Sequence, residues 1–440
     1  MILPLLVLLV QDPAERAREF QAHITKVRGL EFRREVPIGV YGREELRRFV
    51  MAEFEKQFPR ARARKVEKAY AHFGLIPADL RLYDALIELY AESVAGFYHQ
   101  TTREIRLIRP EESSVPDGAD FSVDLSDVTL VHELTHAAQD QTYDFRTLPL
   151  EEEDDDDLVA AVKALTEGDA FACGWNFVYR RTFDRVIRII VDRQKSARLP
   201  GKAGELPEFL RLAAVFPESY GCEFVLAALK ANGGDWKALS RIYDDLPAST
   251  EQILHPEKYL ERRDPPVALI LPDLGESWRP IAANVHGEFA VRVMVGEKAA
   301  AGWRGDRYHL FERHGVVSSV WFSRWDSVQD AREFFDAYGR RLRERHGSGK
   351  VTAATEDRVV LSEGEAGAAS LERRGTDVLA LDGEAALLAL AEAVWRGVRA
   401  RERAKVARYR LGRWVCPKHA DVERTVDATC PRCGEQLVPR

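Results

Sequence analysis

Residues 131–141 read VHELTHAAQDQ and contain the pattern His-Glu-x-x-His. His132 and His136 are four residues apart, so in a helix both imidazoles lie on one face and can bind a single Zn²⁺. Apolar residues recur at helical spacing across this stretch, and no proline interrupts it. Glu133 would stand beside the open coordination position and accept a proton from an attacking water. The stretch therefore predicts a metal-binding helix with a built-in general base.

A catalytic zinc needs a third protein ligand, and acidic residues further along the chain can supply it. Glu167 lies in ALTEGDA, residues 164–170, where a carboxylate among apolar helix residues needs a charged partner. Asp169 is the alternative ligand, or it could hydrogen-bond a ligand histidine from behind. Asp140, four residues after the second histidine, could hold a histidine in the same way. The third ligand is therefore predicted to be Glu167, with Asp169 left open.

Two further segments bear on this region. Residues 94–98 and 104–108 flank the polar stretch HQTTR and predict a β-hairpin, whose strand near Gly96 could pair its edge with an extended peptide. The acidic run EEEDDDD, residues 151–157, could bind calcium or could complement the N-terminal dipole of a helix over 158–179. The dipole interpretation is favoured.

A second metal site is predicted at the C-terminus. Cys416 and His419 form C-x2-H, and after ten residues Cys430 and Cys433 form C-x2-C, which together fit a closed tetrahedral zinc site. A segment this short cannot build a hydrophobic core without a metal. We therefore expect two zinc ions, one catalytic and one structural.

Composition excludes several classes of protein. The chain has 440 residues and five cysteines, too few for a disulfide scaffold, and its net charge of -7 gives no reason to expect nucleic-acid binding. No stretch approaches the roughly 20 apolar residues of a membrane span, so we expect no transmembrane segment beyond a signal sequence. Residues 1–10, MILPLLVLLV, have the length of a signal hydrophobic region but lack preceding basic residues and a clear cleavage site. A signal sequence would make the protein extracytoplasmic, whereas a buried N-terminal strand or short helix would leave it cytoplasmic.

The sequence resembles the bacterial gluzincin-type zinc metallopeptidases, the thermolysin-like superfamily with two histidines and one glutamate on zinc. The resemblance is most specific to a poorly characterised group with H-E-x-T-H-A-x-Q-D-Q, E-G-D-A and S-T-E-Q-I-L-H-P-E-K-Y, found here at 132–141, 167–170 and 249–259. It covers about residues 27–340. It implies a zinc-dependent peptidase acting on a peptide or protein, with Glu133 as the general base. The two histidines and Glu167 would be the ligands, across a gap longer than in thermolysin.

Such enzymes also need a donor for the oxyanion of the tetrahedral intermediate. Tyr220 and His255 have the right chemistry and follow the predicted ligand helix. Each could equally be a packed tyrosine or a histidine that caps a loop.

Residues 414–439 resemble the small heavy-metal-binding module of bacterial copper-efflux proteins, C-P-M-H-P…C-P-x-C-G-M-x-L-V-P. Lys418 and Glu435 stand where that module has methionines. Because thioethers favour copper, their loss favours zinc.

We therefore expect an α+β protein of several parts. These are a signal segment (1–12), a mainly helical zincin-like domain with a small β-hairpin (13–270), an α+β accessory domain (271–395), a basic helical linker (396–413) and a zinc-ribbon tail (414–440).

Two other functions remain open. The chain could be a catalytically idle metal-binding scaffold, although metal binding alone does not require Glu133. It could also be a metal-handling protein that acts through its C-terminal Cys/His module.

Overall fold

The computed structural model describes residues 13–93, 95–109, 125–196, 201–347, 349–364, 367–402, 405–419, 422–426, 428–430 and 436–439. The predicted signal segment, residues 1–12, and the predicted ligand Cys433 lie outside the described residues. The fold is α+β, as predicted.

The described residues form fifteen α-helices, most of them in the N-terminal part of the chain. They are α1 (Pro13–Arg28), α2 (Arg43–Gln57), α3 (Arg60–His72), α4 (Leu82–Ser93), α5 (Leu125–Tyr143), α6 (Asp156–Tyr179), α7 (Phe183–Ser196), α8 (Glu208–Ala231), α9 (Thr250–Leu254), α10 (Glu257–Leu260), α11 (Gly287–Val295), α12 (Glu297–Ala300), α13 (Val328–His346), α14 (Ala385–Leu388) and α15 (Ala391–Gly397).

Most strands lie in the C-terminal part. They are β1 (Ile38–Tyr41), β2 (Gly96–His99), β3 (Glu104–Ile108), β4 (Val267–Ile270), β5 (Ala282–Asn284), β6 (Trp303–Arg313), β7 (Val316–Trp325), β8 (Lys350–Thr355), β9 (Arg358–Gly364), β10 (Gly367–Arg374), β11 (Asp377–Gly383), β12 (Arg399–Glu402), β13 (Leu411–Val415), β14 (Glu423–Val426) and β15 (Val438–Pro439).

In the part of the chain that the structure describes, the strands form four sheets. The predicted hairpin forms as β2 and β3, and β1 joins β3 in parallel, so β2 is an edge strand of the order β1-β3-β2. A seven-stranded sheet has the order β5-β6-β7-β11-β10-β9-β8, β12 pairs with β4, and β14-β13-β15 forms the tail.

The acidic run leads into α6. The Asp155 side chain accepts a hydrogen bond from the Leu158 N–H at 3.1 Å, which caps the first turn of the helix. The interpretation of this run as the start of a helix is therefore confirmed.

Helix α8 is long and apolar enough to cross a membrane by length and composition, contrary to the expectation that no stretch would be. Half of that window is buried within the protein, where α8 packs on α6. Pro217 lies inside α8 without ending it.

The hydrophobic core does not divide at the predicted boundary between 270 and 271. One cluster of buried residues runs from Ala17 to Val406 and includes side chains of both proposed domains, and a second gathers β4 with the seven-stranded sheet. The domain limits therefore stay predictions.

The prediction that the linker, 396–413, is helical is wrong. The residues Arg399–Glu402 form β12, which pairs antiparallel with Val267–Ile270. Pairing satisfies the backbone groups of a stretch whose closely spaced arginines would repel one another on a helix.

The end of the linker and the tail both dock on the connection between α5 and α6. The Tyr409 N–H donates to the Thr147 carbonyl at 2.6 Å, and Arg408 donates to the Tyr143 carbonyl at 3.1 Å. Further along, Arg424 lies 3.2 Å from the buried carboxylate of Glu152.

Candidate metal centre

Burial of the apolar side chains of α5 determines where its two histidines point. Its apolar side chains are almost fully excluded from solvent: Leu130, Val131, Leu134, Ala137 and Ala138. This anchoring fixes the rotation of the helix, so His132 and His136 project together, one turn apart.

Glu167 reaches the same point from α6. Its Oε2 lies 3.2 Å from His132 Nε2 and 3.1 Å from His136 Nε2, and the two Nε2 atoms are 3.0 Å apart. A tetrahedral zinc with bonds of about 2.0–2.1 Å spaces its ligands by roughly 3.3 Å. The three predicted ligands therefore lie close enough together to hold one metal ion.

The Glu167 carboxylate and the two imidazoles stabilise one another's charged forms. Burial alone would lower the pKa of His136, but the Glu167 carboxylate raises it to about 9. Burial would conversely raise the pKa of Glu167, yet the two histidines hold it well below its ordinary value. The carboxylate is thus kept anionic beside the imidazoles, the form in which it can bind a cation.

Glu133 lies beside the cluster and is held by the edge strand. Its Oε2 accepts a hydrogen bond from the backbone N–H of Tyr98 in β2 at 2.7 Å. The Tyr98 phenol donates to Asp140 at 2.8 Å. One residue of β2 therefore orients the predicted general base and is itself anchored to α5.

Gln139 selects which nitrogen of His136 is free. Its Oε1 lies 3.0 Å from His136 Nδ1, and its Nε2 donates to Asp169 at 3.1 Å and to the Thr166 carbonyl at 3.2 Å. Because the amide nitrogen faces two acceptors, the amide oxygen must accept the Nδ1 proton. Nε2 is therefore the nitrogen that faces Glu167, and it can bind a metal that displaces its proton.

Asp169 is not part of the ligand set. Arg28, fully buried, donates to its two oxygens at 2.9 and 3.1 Å, and Tyr243 donates at 3.0 Å. Asp169 therefore supports His136 through Gln139 and does not contact it directly. Asp140 also does not hold a histidine, because it accepts from Tyr98 and from the Phe145 N–H.

A close helix crossing brings α8 to the site. A Cβ added at Gly168 would lie 2.1 Å from the Gly221 carbonyl carbon, and one added at Gly221 would lie 1.9 Å from the Ala164 oxygen. Glu218, one turn before Gly221, is thereby placed where His132 and Glu167 act electrostatically on its carboxyl. Burial raises the pKa of Glu218, and His132 opposes that shift. The sequence reasoning missed Glu218, because nothing in the pattern marks a backbone contact between two helices.

Neither predicted oxyanion donor contacts the cluster. The Tyr220 ring stacks on Phe216 at 5.1 Å and lies under the Lys195 ammonium at 3.9 Å. His255 is paired with Glu288 at 2.8 Å. These contacts match the alternative interpretation, a packed tyrosine and a histidine at the C-cap of α9.

The tail gathers a second donor set. His419 Nδ1 lies 3.5 Å from Cys416 Sγ and 3.6 Å from Cys430 Sγ, close to the roughly 3.6 Å expected of an imidazole and a thiolate on one tetrahedral zinc. Trp414 and Leu437 pack beside the two cysteines.

Comparison with known proteins adds little at the site. Residues 278–394 match a family described as a domain of unknown function (DUF8575), a segment that holds the seven-stranded sheet and none of the donor atoms above. No curated protein matches the chain. A solved structure from Chloroflexus aurantiacus, provisionally named a hydrolase with a novel fold, is 21% identical, covers 57% of this chain and 89% of its own, and has a TM-score of 0.38.

Proposed function

We propose that this chain is a zinc-dependent peptidase of the gluzincin type. One observation carries the proposal. His132, His136 and Glu167 converge on one point, and Glu133 lies beside them although these three residues can bind a metal without it. A metal site with only a structural role does not require a further carboxylate beside its ligands.

The donor set favours zinc. Two imidazoles and one carboxylate are the ligand set that leaves a fourth position open in catalytic zinc sites. When bound, zinc supplies a Lewis acid that polarises the scissile carbonyl and lowers the pKa of water.

The chain's own residues supply the proton transfers. Glu133 accepts a proton from the attacking water and passes it to the leaving amine. The Tyr98 N–H fixes one of its oxygens, so the carboxylate cannot swing away from the cluster. Among the described strands β2 pairs only with β3, so the part of its outward edge that Glu133 does not occupy would pair with an extended peptide.

The tail belongs to the proposal as a structural zinc site, formed by Cys416, His419 and Cys430 together with Cys433. We also propose an extracytoplasmic location and a peptide or protein substrate. Both rest on the sequence.

Metal content and peptide cleavage test the proposal together. Elemental analysis of the wild type is expected to give two zinc ions per chain, with one lost in His136→Ala and the other in Cys430→Ala. Glu133→Gln should keep both ions and lower kcat on a casein or peptide-library digest by about 10²–10⁴-fold. Glu35→Gln, an exposed acidic residue, is the matched control and should be unaffected.

Two results would contradict it. If only the zinc that depends on Cys430 were found, α5 would bind no metal and the idle-scaffold function would replace the peptidase. If Glu133→Gln cleaved as fast as the wild type, the activity would not come from this site.

A further inference from the structure

A cavity of about 150 Å³ opens at Asp140, one turn beyond His136 on α5, and takes no part in the proposed chemistry. It is lined by three arginines, two aspartates and two glutamines. Asp140 connects it to the site, because this wall residue accepts the phenol of Tyr98, whose backbone N–H holds Glu133.

The negative charges of the cavity are already satisfied. Asp144 is paired with Arg146, whose Nε donates at 2.8 Å. Both oxygens of Asp140 are occupied, one by the Tyr98 phenol and the other by the Phe145 N–H at 2.9 Å. Neither aspartate therefore has a free oxygen to offer a cation.

The remaining positive charges are free. Within the described ranges, the guanidinium groups of Arg34 and Arg103 have no hydrogen-bonded or ion-paired partner, although both face this cavity. They act on it electrostatically, since both oppose the rise in the Tyr98 pKa, and Arg103 helps to lower the pKa of Asp144. The cavity is thus a cationic pocket with two unused bidentate donors.

The pocket lies at the end of the strand that borders Glu133. Arg103 is in the turn between β2 and β3, and Gln100 immediately follows β2. The Tyr98 N–H points away from β3, so alternation makes the edge at Gly96 and Tyr98 the one that faces the site. A peptide extended along that edge advances about 3.3 Å per residue and reaches the turn within a few residues of the metal centre.

We propose that Arg34 and Arg103 form a carboxylate-binding subsite, which makes the protein selective for peptides that carry a carboxylate at a fixed distance from the cleaved bond. This rests on the proposed peptidase function. The carboxylate comes either from an Asp or Glu side chain or from the peptide C-terminus. Guanidinium forks match both sources equally well.

The test uses hexapeptides with Glu or Gln at each single position in turn, each with a free or an amidated C-terminus. The full-length, zinc-loaded protein is expected to cleave one acidic set at least about tenfold faster in kcat/KM than its neutral counterpart. Preference at one Glu position assigns the side chain, and preference for the free terminus assigns the C-terminal carboxylate. Arg34→Gln and Arg103→Gln should each reduce that ratio towards one, mainly through KM.

Arg64→Gln is the matched control, because Arg64 is exposed on α3 and outside the pocket. Equal rates for acidic and neutral peptides, or an unchanged ratio in both pocket variants, would overturn the subsite. Isothermal titration of the same peptides onto Glu133→Gln separates the two proposals. If the wild type cleaves none of the peptides but acidic peptides still bind to Glu133→Gln in a way that depends on Arg34 and Arg103, the subsite stands and the peptidase proposal falls. If acidic and neutral peptides bind alike, the subsite falls.

Discussion

At the scale of single residues, Gln139 connects the metal centre to the interior. It joins His136 to Asp169, whose charge is neutralised by the buried Arg28 from α1. The Gln139 amide takes one orientation, because its Nε2 faces the acceptor oxygens of Asp169 and Thr166. His136 therefore keeps Nδ1 on Gln139 and turns Nε2 towards the position of the metal.

Gln139→Leu should break this series without emptying the core. Leucine has a similar volume but cannot accept the Nδ1 proton, so zinc affinity at the His132 site is expected to fall about 10–100-fold. A competition titration with a zinc chelator measures it, using Cys430→Ala so that one site is read alone. An unchanged dissociation constant would show that the amide does not orient the imidazole.

A second residue-scale prediction concerns His286, which behaves as an apolar ring. It stacks on Tyr308 at 4.4 Å and meets Phe73 edge-on at 4.4 Å, and its Nε2 has no partner among the described residues. Burial lowers its pKa from 6.5 to about 3, helped by His72. Below pH 6.5 the unfolded chain therefore gains a proton that the folded chain cannot hold, and stability is lost as the pH falls towards 3.

His286→Phe should remove this acid sensitivity. At pH 5 the wild-type histidine costs about 2 kcal/mol relative to neutral pH, and phenylalanine has no such cost. Urea unfolding at pH 7.5 and pH 5 measures the free energy of unfolding, and the difference between the two should shrink by about that amount. The same difference in both proteins would contradict the prediction.

At the scale of elements, the crossing of α6 and α8 sets the position of Glu167 relative to the histidines. Gly221→Ala would place a Cβ 1.9 Å from the Ala164 carbonyl oxygen, so the helices must separate. We expect the free energy of unfolding, measured by denaturant titration, to fall by about 3 kcal/mol.

Gly339→Ala in α13 is the control for that substitution. The nearest atom to its added Cβ is 3.5 Å away, so alanine fits and should be neutral or stabilising by about 0.5–1 kcal/mol. If Gly221→Ala were as mild as this control, the crossing would not be rigid.

The positions of the site residues on these elements show which of them the sequence could predict. The pair His132 and His136 was predictable because helical spacing is fixed and needs no tertiary information. Glu167 could be proposed from its apolar surroundings alone. Tyr220 and His255 were named only for their chemistry, and contacts from distant elements, Lys195 and Glu288, decide where they lie.

One error in the element predictions shows the limit of local preference. The sequence predicted a helix over 396–413, but Arg399–Glu402 forms a strand. Pairing of β12 with β4 outweighs the local preference for a helix there. The pairing of Arg28 with Asp169, 141 residues away in the sequence, could not be predicted because it also depends on tertiary packing.

At the scale of the whole molecule, the tail and the end of the linker before it brace the connection between α5 and α6. Their contacts with Tyr143, Thr147 and Glu152 lie on the chain between His136 and Glu167. A tail that folds around its own metal would therefore stiffen that connection.

Cys430→Ser should separate the two metals experimentally. We expect loss of one zinc per chain and at least tenfold faster amide hydrogen exchange across residues 143–155, followed by mass spectrometry, because the docked tail loosens. His136→Ala loses the other zinc but leaves the tail site intact, so exchange there should stay slow. Unchanged exchange in Cys430→Ser would mean that the tail is not a brace.

The docking of the tail also sets an order of events during synthesis. Arg424 is made 272 residues after its partner Glu152, which at about 5–20 residues per second is a delay of roughly 15–55 s. The two histidines and Glu167 leave the ribosome long before the segment that braces them. A chain that ends early, by premature termination or by proteolysis near 405, would thus contain His132, His136 and Glu167 and none of the contacts that Arg408, Tyr409 and Arg424 make.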